Sequence, residues 1–166
     1  MKLRFFFLLI TCALLSLQCG TSQNAAEATA AQQADTKKLL DSRRYRFIPQ
    51  SVQTQSGRSQ QITNFSLEVR QDTLISYLPY YGVAYSATMG ASEGPLDFKA
   101  TNISYNSEVG SNGNTQITIR PEDARTDAQE FFLNVSASGY ANLSVRFNNR
   151  QSISFYGQVR ALRVKR

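Results

Sequence analysis

The sequence predicts an α+β, mainly β domain, with a short N-terminal helix and one large antiparallel, twisted sheet of about seven or eight strands. Three observations predict it. From Tyr45 onward apolar and polar residues alternate with period two, the pattern of half-buried strands. Turn-forming residues interrupt that alternation at intervals of roughly 8–12 residues, so neighbouring strands connect sequentially and run antiparallel. The chain has 166 residues, 42% of them hydrophobic, which suffices for one core but not for two large ones.

The elements follow in order. Met1-Lys2-Leu3-Arg4 is a short basic start, and the apolar run Phe5–Leu17 covers 13 residues. A membrane-spanning helix needs about 20 apolar residues, so the run has the length of a signal-peptide core. Residues 1–18 are therefore expected to be an export signal. Cys19 follows directly, with the small polar stretch Gly20-Thr21-Ser22-Gln23-Asn24 behind it. A cysteine so placed resembles a bacterial lipoprotein signal, in which the thiol is acylated and becomes the new N-terminus. Ordinary cleavage nearby would instead leave Cys19 an incidental thiol. Residues 19–36 are rich in Ala, Gln and Thr without large apolar side chains and read as a flexible tether. Asp35–Leu40 completes a short helix before Ser42, with Leu39 and Leu40 as its only substantial apolar side chains.

The sheet-rich domain is expected over residues 37–166. Tyr45, Phe47 and Val52 alternate with Arg44, Arg46 and Gln53. Phe65-Leu67-Val69 alternates with polar neighbours, turns at Gln71-Asp72 and returns as Thr73–Leu78, a hairpin. Phe98 to Tyr105 reads as one strand. Ser111-Asn-Gly-Asn114 is a hairpin loop into Thr115–Ile119, which Pro121 stops. Phe131–Val135, Tyr140–Phe147 and Ile153–Val159 complete the set, with turns at Gly139 and Asn148-Asn149.

Composition excludes several functions. The chain has no histidine, so Ser-His-Asp and Cys-His catalytic arrangements cannot form within it. Its two cysteines cannot supply a four-ligand zinc site, and Cys12 lies inside the apolar run, leaving no disulfide after export. No cofactor or metal is expected. Net charge is +6; without Lys2 and Arg4 it is 16 against 12, or +4. Arg160, Arg163, Lys165 and Arg166 make the C-terminus basic, yet no aromatic-basic interleaving points to nucleic acid.

Carboxylates offer one enzymatic route. Glu93 and Asp97 flank Gly94-Pro95, and paired carboxylates can serve as acid and base in sugar hydrolysis. Asp97 serves equally as a turn residue after Pro95. Glu122, Asp123 and Asp127 read as a solvated loop. No phosphate loop, nucleophile elbow or metal spacing accompanies either group. The expected class is therefore a non-enzyme.

The most distinctive stretch is Leu78-Pro79-Tyr80-Tyr81-Gly82-Val83-Ala84-Tyr85. Pro79 ends a strand and Gly82 permits a sharp change of direction. Tyr80, Tyr81 and Tyr85 bring aromatic bodies with polar tips, suited to gripping a ligand or to capping a core. Together with Gly94-Pro95-Leu96-Asp97-Phe98, Gly139-Tyr140-Ala141 and Ile153-Ser154-Phe155-Tyr156-Gly157, this stretch resembles the domain-of-unknown-function family 4251. These are small exported lipoproteins of Bacteroidetes-type bacteria. The resemblance covers roughly residues 38–162 and departs at Tyr81, where the family more often has Phe. It implies a sheet-rich envelope protein and carries no catalytic residues to transfer. Conditional on it, Asp72-Thr73-Leu74 looks like an O-glycosylation acceptor at Thr73, although turn chemistry explains Asp72 as well. The function expected is a cell-envelope lipoprotein module, held to a membrane by a lipid on Cys19, with an envelope protein or a glycan as partner. The competing expectations are a small hydrolase using Glu93 and Asp97, or a purely structural lipoprotein.

Overall fold

The computed structural model describes residues 21–54, 57–83, 96–110, 113–123 and 126–162, with helix side chains from Ala30 onward. Among these described residues one helix, α1 (Thr21–Asp41), precedes ten strands: β1 (Arg44–Gln53), β2 (Ser59–Gln61), β3 (Ser66–Arg70), β4 (Thr73–Tyr77) and β5 (Asp97–Ala100), then β6 (Ile103–Val109), β7 (Thr115–Pro121), β8 (Ala128–Val135), β9 (Tyr140–Phe147) and β10 (Ile153–Ala161). Their order in the sheet is β5-β4-β3-β1-β10-β9-β8-β7-β6, with β2 on the far half of β1. Every ladder is antiparallel, for example Phe47 opposite Val159 and Leu133 opposite Leu143.

Two features raise the strand count above seven or eight. β2 is a three-residue strand of Ser and Gln that carries no hydrophobic signal. The segment read as one strand from Phe98 to Tyr105 is two, broken at Thr101-Asn102. Ala100 and Ile103 both point into the core. Residues three apart cannot share one face of an unbroken strand, so the backbone must turn between them. β5 pairs with β4 and β6 pairs with β7, at opposite ends of the sheet, yet two residues join them. The sheet therefore curls until its ends meet, nearly a barrel. The bent β5–β6 segment passes from one edge to the other. Phe98 of β5 lies 5.9 Å from Phe131 of β8 across the interior.

Asp123, just after β7, secures the corner. Its carboxylate accepts from the Thr101 amide at 3.0 and 3.1 Å and from the Thr101 hydroxyl, while the Glu122 amide donates to Asn102 O at 3.0 Å. The Thr101 hydroxyl bond holds the Asp123 carboxyl below its usual range. Asp127, the third acidic residue of that loop, is instead 3.0 Å from Arg150 Nε. The group read from sequence as a solvated acidic loop thus divides into a corner clasp and an ion pair.

A barrel of about eight staves has an interior just wide enough to fill with side chains. Here Tyr45, Phe47, Leu67, Leu74, Ile117, Phe131, Leu143 and Phe155 fill it. On the outer face charges pair: Glu68 lies between Arg46 of the neighbouring strand and Arg70 of its own, and Glu130 lies between Arg120 and Arg146 of the strands on either side at 2.6 and 3.0 Å. Glu130 separates two guanidinium groups, so Glu130→Gln should cost about 1 kcal/mol at low salt and less at high salt. Urea melts at two ionic strengths check this; an equal loss at both would show that packing, not charge, carries the effect.

Helix α1 is the expected N-terminal helix; its 21 residues, Thr21–Asp41, take in part of the segment read as a tether. It lies across one end of the barrel. Leu40 enters the core, Leu39 packs partly against it, and Gln32 Nε2 donates to Ser138 O at 2.9 Å. Arg43, left-handed at φ 50°, ends the helix and sets its guanidinium 4.6 Å over the Tyr105 ring. Beneath it the Tyr45 and Tyr105 hydroxyls are 3.3 Å apart. Among the described residues no helix is long and apolar enough to cross a membrane.

Candidate functional site

The end of the barrel away from α1 is crossed by residues 78–83, the stretch singled out in the sequence. The buried Ser76 hydroxyl donates to Leu96 O at 2.7 Å and the Leu78 amide donates to the same carbonyl at 3.2 Å, tying the end of β4 to the start of β5. Pro79 then directs the chain over the opening.

Tyr80 and Tyr81 take different roles. The Tyr80 ring is half-buried and meets Phe147 edge-on at 5.1 Å and 72°. Its hydroxyl lies 3.1 Å from the carbonyls of both Val83 and Gln151, and the Arg150 guanidinium sits 5.6 Å from its ring. The Gln151 amide donates to Val83 O at 3.2 Å. Tyr80 is thus a fastener between this segment and the β9–β10 loop. Gly82 makes that possible, because a Cβ there would stand 2.5 Å from the Tyr80 hydroxyl. Tyr80, one of the ligand-contact candidates, is partly buried with its ring against Phe147.

Tyr81 is 41% exposed and borders an open cleft of about 590 Å³. Val52 and Thr54 at the end of β1, Arg58 and Gln60 of the β1–β2 hairpin, Val83 and Gln151 form the other walls. The cleft brings together an aromatic face, a guanidinium, two amides and two aliphatic groups. Such a set offers apolar contact together with hydrogen-bond donors and acceptors. Among the described residues it offers no nucleophile with an adjacent base.

The remaining sequence candidates lie elsewhere. Tyr85, Glu93 and Cys19 fall outside the described residues, as do residues 1–18 and 163–166. Asp97 opens β5 opposite Tyr77 and is exposed. Thr73 opens β4 beside the Gln71-Asp72 turn, opposite Arg70, and is partly exposed. Among the described residues no three carboxylate, thiol or imidazole groups converge as metal ligands would. The sequence missed Arg58, Gln60 and Gln151, which carry no local signal; Gln60 reaches the cleft by pairing with Val52, and Gln151 by its backbone bonds to Val83 and Tyr80.

Comparison with known proteins gives a consistent result. Among curated proteins none matches the chain. The crystal structure of a DUF4251 family protein from Bacteroides eggerthii DSM 20697 matches with a TM-score of 0.57 at 15% sequence identity, over 81% of this chain and 91% of that one. At that identity the likeness speaks for the fold. The family described as a domain of unknown function, DUF4251, matches residues 27–159, from within α1 to the last inward residue of β10. The chain therefore belongs to the DUF4251 family.

Proposed function

We propose that this protein is a non-enzymatic module of a bacterial cell envelope, tethered through a lipid on Cys19 and binding an envelope protein through the Tyr81 cleft. The observation that carries the reading is the division of labour within one motif: Tyr80 is locked into the barrel end while its neighbour Tyr81 stays open over a cleft built from separate segments. A fixed floor beneath an exposed ring lowers the ordering cost of binding, because little must be immobilised when the partner arrives. The signal-like residues 1–18, followed directly by Cys19, support the tether.

A photo-crosslinking residue in place of Tyr81, in cells, tests the binding site, and partner retention by Tyr81→Ala tests its energetics. The expected results are a discrete adduct, and at least about tenfold weaker retention by Tyr81→Ala with a stability loss below about 1 kcal/mol. No adduct, or unchanged retention, overturns the site. Intact-mass spectrometry of protein from its native membrane fraction tests the tether. Cleavage before Cys19 with added acyl chains is expected; a lipid-free mass beginning elsewhere removes the anchor.

A further inference from the structure

A second groove lies at the opposite end of the barrel, where α1 crosses the sheet. It measures about 600 Å³ and runs between Gln32, Asp35 and Thr36 of α1 and Tyr140, Gln158 and Arg160 of the sheet. Tyr140 is stacked on Tyr156, with ring centroids 5.9 Å apart and planes within 10° of parallel. The pairing follows from register: Tyr140 faces Gln158 and Tyr156 faces Asn142, which makes the two tyrosines diagonal neighbours on the outer face. Their exposures are 41% and 49%.

We infer that this groove and the tyrosine pair beside it bind a neutral saccharide chain. The stacked pair leaves each ring about half exposed, so the pair presents an open outer ring face and apolar ring edges next to a cleft. A pyranose presents one face of C–H groups of similar size, and its hydroxyls project sideways. Stacked on the rings, it sheds water from the C–H face and turns its hydroxyls toward the rim. The rim has the matching chemistry. The amides of Gln32 and Gln158 each donate and accept, the Asp35 carboxylate accepts, and Asn142 stands opposite Tyr156 on the neighbouring strand, so adjacent hydroxyls find partners of both kinds.

Charge and topology narrow the ligand class. Among the described lining residues Asp35 and Arg160 oppose each other in sign, and Arg160 already donates to Gln158 Oε1, so neither sign dominates that lining. β9 and β10 are hydrogen-bonded on both sides, which leaves no free strand edge here for a peptide to extend. Gln32, held to the Ser138 carbonyl, fixes the helix wall of the groove before any ligand arrives. The site shares no residue with the Tyr81 cleft.

The test presents the purified protein to an array of soluble neutral oligosaccharides of gluco-, manno-, galacto- and N-acetylhexosamine type, four to six units long. At least one class should be retained, with affinity falling roughly tenfold or more in Tyr156→Ala and in Tyr140→Ala, and severalfold in Asp35→Asn. Tyr81→Ala should bind the sugar as the parent does. Thermal melts accompany each variant, and Asp35→Asn, an exposed helix change, keeps the test decisive if a tyrosine variant fails to fold. Retention of no member of the array overturns the inference, as does equal retention by the parent, Tyr156→Ala and Asp35→Asn.

Discussion

Alanine at Gly157 is expected to destabilise the fold by about 3 kcal/mol, lowering the melting temperature by roughly 6–12 °C for a domain of this size. Gly157 stands opposite Pro49 where β1 and β10 pair, and the register there slips between Pro49 and Ser51. At that irregularity the β1 backbone moves in over β10. A Cβ on Gly157 would lie 2.1 Å from the Ile48 carbonyl oxygen and 2.7 Å from Pro49 Cα. Both obstacles are backbone, so no rotamer change relieves the overlap; one central strand must move away from the other. β1 and β10 join the two halves of the sheet order, and displacing them disturbs Phe47 and Phe155 in the core as well. Urea denaturation followed by circular dichroism measures the loss. A change below about 1 kcal/mol would mean the two strands separate freely at this point, and the close approach would then have no role in stability. The late Ser-Phe-Tyr-Gly stretch that stood out in the sequence acquires a physical reason: Phe155 fills the core and Gly157 admits the neighbouring strand.

How far the sequence was legible depends on where each signal resides. Phe65-Leu67-Val69 and Leu143-Val145-Phe147 announce their strands because one face is buried and the other wet, a property of the strand alone. The break at Thr101-Asn102 was also written locally, in the odd spacing of Ala100 and Ile103, but a strand reading that counted apolar residues without tracking phase passed over it. β2 was not legible, since Ser59-Gln60-Gln61 becomes a strand only because β1 offers it hydrogen bonds. Helix α1 was half legible. Its alanines favour helix, but what fixes it is Leu40 in the core and Gln32 on the Ser138 carbonyl, contacts from the other end of the chain. The candidate site divides the same way. Tyr80 and Tyr81 stood out by composition, but composition could not say that one is fastened inside and the other left open. That distinction comes from Phe147 and Gln151, some seventy residues downstream. The Tyr140–Tyr156 pair needs the β9–β10 register before it exists at all.

Stability above pH 10 should fall more steeply in the parent protein than in Tyr45→Phe. Tyr45 is fully buried. Burial pushes its phenol pKa well up from the ordinary value near 10, and the neighbouring Tyr105 raises it further against the opposing charge of Arg43. Tyr105, less enclosed, is raised chiefly by burial too. An acid whose folded pKa lies above its unfolded pKa keeps its proton in the folded state after the unfolded chain has released it. The unfolded state then binds fewer protons, so each rise in pH favours unfolding. The stabilisation is fully present below pH 10 and drains away as pH climbs from 10 toward the folded pKa, at about 1.4 kcal/mol per pH unit for Tyr45. At pH 7, Tyr45→Phe removes a long 3.3 Å hydroxyl contact and should cost about 1 kcal/mol or less. Above pH 10 the parent therefore loses stability that the phenylalanine variant keeps, and the gap between the two curves closes. Urea melts at pH 7, 10 and 11.5 test this, with absorbance at 295 nm reporting phenolate. The expected signature is a tyrosine in the parent that ionises only as the barrel opens. Parallel curves over the whole range would mean that the Tyr45 hydroxyl reaches water in the folded protein, and that Arg43 and Leu40 do not seal this end of the barrel.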